Sequence, residues 1–180
     1  GRVEILGRVY DAPGRVALPQ EAAWIPEDRR AEGLALEMSC AENLSMGLPA
    51  GTAPRGEEVR RLLEDFDVRP PDPLLPAAHL SGGNQQRLLL AREMSRRARL
   101  LLAVHPTRGL DPGATAFVHQ RLMAARSAGL GILLVTGDLA ELQALSDRIL
   151  ILFRGEVRYS ARSEDVEAGA MNRALLGMAP

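Results

Sequence analysis

Between Arg99 and Phe153 three short apolar runs alternate with two helix-like stretches, and this alternation constrains the fold more than any other feature. The runs are "RLLLAV" (99–104), "GILLVT" (131–136) and "RILILF" (148–153). Between them, "DPGATAFVHQRLMAARSAG" has Asp111 as a helix N-cap, Pro112 at the first helical position and Gly129 as a stop. "DLAELQALS" is a shorter helix opened by Asp138, with Glu141 three residues on. Strands that are apolar along their whole length are expected to be buried on both faces, which implies a mainly parallel sheet covered by helices. The fold class is therefore α/β.

The flanking sequence has other characters. "RVEILGRVY" reads as a hairpin turning at Gly7-Arg8, and "EAAWI" as a strand running into Pro26. "PEDRRAEGL" reads as a polar loop. A helix is expected to start at Ser39, with Glu42 completing a capping box. "EEVRRLLEDFDV" places Val59, Leu62, Leu63 and Phe66 at helical spacing, while the prolines of "RPPDPLLPAAH" exclude regular structure. After Phe153, Gly155 turns the chain into "EVRYS", and a helix is expected over about 163–176. Three segments result: a β remnant at 1–26, a helical subdomain at 27–97, and an α/β half at 98–180.

Composition removes several classes of function. The net charge of −1 over 180 residues offers no footprint for nucleic acid. All 22 basic residues are Arg, so lysine chemistry, including the phosphate-binding lysine of a P-loop, is excluded within this stretch. Cys40 is the single cysteine, so no disulfide forms within the chain. His79, His105 and His119 are too scattered to suggest a metal site or a hydrolase triad. No Gly-x-Gly-x-x-Gly follows a strand, which disfavours a dinucleotide site. No apolar run approaches the roughly 18 residues of a membrane span. The chain opens on Gly1 without a Met, which suggests a piece of something longer.

The segment with chemical content is "LSGGNQQRLLLAREMSRR", Leu80–Arg97. Ser81-Gly82-Gly83 immediately precedes a helical stripe. A helix start presents unpaired N–H groups and the positive end of the dipole; two glycines allow close approach, and a serine adds a hydroxyl. This is a phosphate cradle. A second informative segment is "RLLLAVHPTRGLD", a strand that delivers a loop to the end of the sheet, the usual place for a ligand in α/β folds. Its tip, Val104-His105, carries no carboxylate.

Taken in order, "IPEDRRAEGLALEMSCAENL" (25–44), "LSGGNQQ" (80–86), "PTRGLD" (106–111) and "LSDRILILFRGEV" (145–157) resemble the ATP-binding cassette (ABC) proteins of simple-sugar and nucleoside importers. The resemblance covers most of the chain and fits the C-terminal part of a second cassette, without its P-loop. It implies a partial RecA-like P-loop NTPase core with a helical signature subdomain and a short N-terminal β piece. It also implies that Ser81, Gly82 and Gly83, backed by Asn84 and Gln85, contact ATP held mainly by a partner cassette, with Mg²⁺ supplied through that partner. Asp111 matches a loop at the cassette interface.

Four positions depart from the family pattern. Val104 and His105 stand where the strand normally ends Asp-Glu, the metal-engaging acid and the water-polarising acid. Gly137 stands at the switch histidine, and Glu27 at a glutamine. No residue of this chain is therefore expected to be catalytic or to bind metal directly, and hydrolysis by the chain alone is not expected. The implied partners are a second cassette, membrane permease subunits contacted by residues 27–44, and indirectly a solute-binding protein, at the cytoplasmic face of the membrane. The other function in view is a catalytically inert truncated cassette acting as a regulatory or interaction module. A DNA-repair ATPase of the same family is disfavoured, because 27–80 is too short for a coiled-coil arm.

Overall fold

The computed structural model describes residues 2–11, 18–48 and 51–178. They fall into two compact units, one up to Val135 and one from Thr136.

The first unit opens with a hairpin of β1 (Arg2–Ile5) and β2 (Arg8–Asp11). Ile5 faces Arg8, so the turn is Leu6-Gly7, one residue earlier than expected. Both turn residues have positive φ, 50° and 79°. That is the geometry of a tight hairpin turn; glycine supplies it freely and leucine is the unusual member. Next come β3 (Ala22–Ile25), β4 (Leu100–Val104) and β5 (Gly131–Val135), a parallel sheet with β4 in the middle.

Four helices accompany the sheet: α1 (Cys40–Ser45), α2 (Glu57–Asp65), α3 (Gly82–Ser95) and α4 (Pro112–Ser127). The chain enters β4 from α3 and leaves it through α4. Both crossovers step across the sheet in the same direction. The right-handed rule then puts both helices on one face. That face holds Ala23, Ile25, Leu101 and Ala103, all buried. The opposite face carries Trp24 and Leu133, paired through Leu102, and Val135. These are 36%, 54% and 43% exposed. Burial on both faces thus fails for β5: its apolarity is matched by cover on one side only.

The helices start where local chemistry dictates. Ser39 and Glu42 form the expected capping box, with Ser39 N–H donating to Glu42 Oε2 at 2.8 Å and Glu42 N–H to Ser39 Oγ at 3.2 Å. Asp111 caps α4, and Gly129 (φ 93°) ends it. There Leu130 N–H donates to Ala125 O and Gly129 N–H to Arg126 O, the paired closure of a glycine-terminated helix. The segment read as a polar loop is instead a π-helical turn, Arg29–Gly33. Asp28 caps it by accepting from Arg30 N–H and Ala31 N–H, at 2.9 and 3.1 Å. Buried Asn43 holds the next segment, trading both amide ends with the Ala35 backbone at 3.0 and 2.9 Å.

The second unit contains α5 (Leu139–Leu145), capped by Asp138, and an antiparallel hairpin of β6 (Arg148–Phe153) and β7 (Glu156–Arg162) turning at Arg154-Gly155. The last helix, α6, is Ala168–Leu175, shorter than expected. The chain instead makes a 3-10 turn at Ser163–Asp165, where Ser163 N–H donates to Asp147 O (3.0 Å) and its hydroxyl to Gln143 O (3.1 Å), and runs extended through Val166 and Glu167 before α6. Ile149 and Ile151 pack with Met171 and Ala174 to form the core of this unit. Among the described residues no helix is long and apolar enough to cross a membrane.

Three expectations follow for the α1 region. Ser39→Ala should lower stability by about 1 kcal/mol in chemical denaturation, the usual worth of an N-cap. The Ser39 hydroxyl, then its N–H, hold the Glu42 carboxyl below its ordinary 4.5. A depressed carboxyl stabilises above its unfolded value and loses that contribution as pH falls through the folded one. The stability difference between wild type and Glu42→Gln should therefore shrink below pH 4.5. Burial pushes the neighbouring Cys40 thiol up to about 11. Native protein at pH 8 should resist a thiol reagent that labels the denatured chain fully.

Candidate functional site

Helices that cross over a parallel sheet run antiparallel to its strands, so the starts of α3 and α4 both lie at the C-terminal edge of β3–β5. Ser81 is the N-cap of α3. Its Oγ accepts from Asn84 N–H at 3.4 Å and from Asn84 Nδ2 at 3.0 Å. Both are accepting roles, which leaves the hydroxyl proton to donate elsewhere. The first bond along α3 runs from Gln85 N–H to Ser81 O, 2.8 Å. The N–H groups of Gly82 and Gly83 precede it and have no partner inside the helix.

The next side chains are committed to the scaffold. Asn84 Oδ1 accepts from Arg69 N–H at 2.9 Å. Gln85 is buried and donates to Ala77 O at 3.1 Å, so it faces inward behind the helix start. Gln86, also buried, donates to Pro106 O at 2.7 Å and ties α3 to the 106–111 loop. At Gly83 an added Cβ would lie 3.4 Å from Ala114 Cβ and 3.8 Å from Asp111 Oδ2. The α3 start therefore rests directly on the α4 start. Asp111 Oδ1 accepts from Ala114 N–H at 2.9 Å, as the cap reading requires.

At the tip of β4, Val104 is half-buried and His105 follows with φ 46°. The His105 N–H extends the ladder to Val135 O at 2.8 Å. Glu27 and Arg108, both well exposed, form an ion pair. Among the described residues no three His, Cys, Asp or Glu side chains gather as a metal site. Gly137 belongs to the second unit, exposed, one residue before the α5 cap Asp138. What the first unit assembles is thus a group of backbone and hydroxyl donors beside two loops, with Glu27 paired to Arg108 and Asp111 accepting from its own helix cap.

Comparison with known proteins places this geometry. A family model described as "ABC transporter" matches residues 1–108. The chain belongs to the ABC transporter family. Curated relatives include the guanosine import ATP-binding protein NupO of Bacillus subtilis, 37% identical over 85% of this chain and 32% of the relative. The nucleoside import ATP-binding protein NupA of Lactococcus lactis is 38% identical over 77% of this chain and 29% of the relative. A ribose import ATP-binding protein of Streptomyces avermitilis is 36% identical over 97% and 37%. The chain spans about a third of the length of these relatives. Among solved structures, a dimeric ATP-binding cassette in a post-hydrolysis state with ADP and phosphate aligns with a TM-score of 0.71 at 21% identity, covering 91% of this chain and 73% of that one. An ATP-binding subunit of an ABC transporter aligns at 0.68 and 26%, covering 89% and 65%. The fold of this ABC-family chain is that of the ABC ATPase cassettes.

Two side chains at this edge received no role from the sequence, Gln86 and Arg29. Gln86 carried a usable signal: it lies three and four residues before Leu89 and Leu90 and so shares their buried face. Gln86→Leu should cost about 1–3 kcal/mol by orphaning the Pro106 carbonyl. His105→Val should cost a similar amount, since a β-branched residue at positive φ is strained, whereas His105→Gly should hold or raise the urea midpoint.

Proposed function

We propose that this chain is part of the ATP-binding subunit of an importer for simple sugars or nucleosides, in which the α3 start completes an ATP site held by a partner cassette. The observation that carries the proposal is the unspent hydroxyl proton of Ser81 beside the unpartnered N–H groups of Gly82 and Gly83. These donors suit the outer oxygens of a terminal phosphate. Membership in the ABC transporter family and the import functions named for the relatives support the same reading.

Mg²⁺ is a different matter. The tip of β4 offers valine and a histidine, Glu27 is paired with Arg108 and Asp111 is spent on its cap. This donor set does not fit a hard cation that prefers carboxylates and water. Metal and ATP would therefore be held by the partner cassette. Each missing group of this kind ordinarily costs a factor of about 10² or more in rate. The chain assists closure and does not turn over ATP on its own.

In this reading residues 27–97 form the signature subdomain, 1–26 are the remnant of a β subdomain, and 98–180 are the core half with its C-terminal hairpin and helix. Residues 27–44 face the permease, a solute-binding protein takes part indirectly, and the assembly sits at the cytoplasmic face of the membrane. Asp111 lies on the loop that crosses to the partner cassette.

The test is reconstitution with an intact partner cassette and permease in proteoliposomes. Ser81→Arg should lower ATP turnover by about 10²-fold or more, while Val104→Ala should leave it unchanged. Unaltered turnover in the Ser81→Arg assembly would overturn the proposal, as would magnesium-dependent hydrolysis by the purified chain alone.

A further inference from the structure

The π-helical turn at Arg29–Gly33 is fastened to α3 at two points. At its far end the Gly33 carbonyl accepts from Arg92 Nη2 at 2.6 Å. A Cβ on Gly33 would lie 3.1 Å from Leu89 Cδ2, so backbone and helix are in close contact. At its near end the Arg29 side chain reaches the start of α3. Arg29 Nη2 occupies the space beside Gly82, 2.7 Å from where a Cβ would stand. Nη1 of the same guanidinium donates to Arg108 O at 3.3 Å. Arg108 in turn sends its own side chain back to Glu27. The Arg29 Nε is buried and has no hydrogen-bond partner among the described residues.

One guanidinium thus lies between the segment after β3, the loop after β4 and the first residue of α3. We infer that Arg29 is a positioning residue that holds the Ser81–Gly83 donors in register with the 106–111 loop and makes the 27–33 segment move as one body with them. The inference rests on the function proposed above, since residues 27–44 are there the permease-facing segment. It adds the part that transmits displacement from that segment to the phosphate-facing donors.

The chemistry favours arginine for this role. One arm of the planar fork, Nη1, donates to Arg108 O while the other, Nη2, fills the space beside Gly82; an ammonium on a flexible stem has no second arm. Charge is not the point, because a cation beside the positive end of α3 is electrostatically unfavourable by itself. Gly82 is part of the same device. Its φ is ordinary, and a side chain there would displace Arg29 before it met any ligand. Arg29 and Gly82 should therefore be energetically coupled, and Arg29→Lys should behave like Arg29→Ala.

The test has two arms. In the first, amide hydrogen exchange is measured on the chain without nucleotide, for wild type, Arg29→Ala, Arg29→Lys, Gly82→Ala and the Arg29→Ala/Gly82→Ala double variant. Both Arg29 variants should speed exchange about five- to tenfold at Gln85, Arg108 and Leu110, the scale of one lost hydrogen bond. Exchange at α1 should be unchanged. Gly82→Ala should match them, and the double variant should be no worse than either single one. Changes confined to 29–33, additive effects, or wild-type behaviour of Arg29→Lys would overturn the inference.

The second arm uses the reconstituted assembly. Arg29→Ala should lower kcat for permease-stimulated ATP turnover at least tenfold with little change in KM for ATP, and lower unstimulated turnover by a clearly smaller factor. Equal loss of both activities would refute transmission. If Ser81→Arg is silent in that assembly, the proposed function fails, while the exchange arm still decides whether Arg29 fastens the loops.

Discussion

Right-handed crossover is the constraint on which the first unit depends. Three parallel strands joined in one direction send their connecting helices to one face and turn them antiparallel to the strands. The starts of α3 and α4 then lie at the same edge, beyond Ile25 and Val104. Every positive helix end and every unpaired first-turn N–H in that pair is delivered to one place by topology alone. Two glycines and a serine are enough to make one of these ends approachable. The uncovered strand face, with Trp24 and Leu133 on it, is the other consequence of the same rule.

Buried polar links turn this edge from a coincidence of helix ends into a fixed arrangement. Gln86 to Pro106 O joins α3 to the loop after β4. Gly83 against Ala114 sets how closely α3 and α4 approach. Deeper in, Glu93 accepts from Trp24 N–H, an outward-facing donor of the edge strand β3, at 3.1 Å, and pairs with Arg92 and Arg96. A buried carboxylate with three partners is tolerable where a lone one would not be. It also blunts an edge that would otherwise offer free backbone donors. Gly83 apart, none of these groups touches a phosphate in the proposed function. They decide where the groups that do so can stand.

What was legible in the sequence follows a simple division. Features set within four residues were readable: the Ser39–Glu42 box, the caps Asp111 and Asp138, the Gly129 stop and the Ser81-Gly82-Gly83 start. Asp28 is as good a cap as any of these. It was passed over because the residues after it, Arg29-Arg30-Ala31-Glu32, show no apolar stripe, and a five-residue π turn needs none. The Leu6-Gly7 turn was misplaced because leucine is a poor predictor of positive φ. The start of α6 was misplaced because Ser163 is held by Asp147 and Gln143, partners its own neighbours do not reveal. Burial of β5 depends on what lies over it, which strand apolarity cannot encode. At the site, Arg29 was unreadable for the same reason: its acceptor, the Arg108 carbonyl, is 79 residues away.

Gly82 brings these strands of argument together. In a phosphate cradle, glycine is usually explained by the ligand, since a side chain would block the oxygen atoms. Here the same vacancy is already used from within, by the Arg29 guanidinium. The two requirements act on different sides of one residue: amides turned toward a nucleotide and the Cβ position turned toward the protein. A phosphate-binding loop is only as well placed as the groups behind it, and errors of about 1 Å can cost about 10²-fold in rate. In the proposed function, placement is what the α3 start contributes. The Gln86 and Arg29 contacts behind Ser81, Gly82 and Gly83 then fix where donors to a partner's ATP would stand.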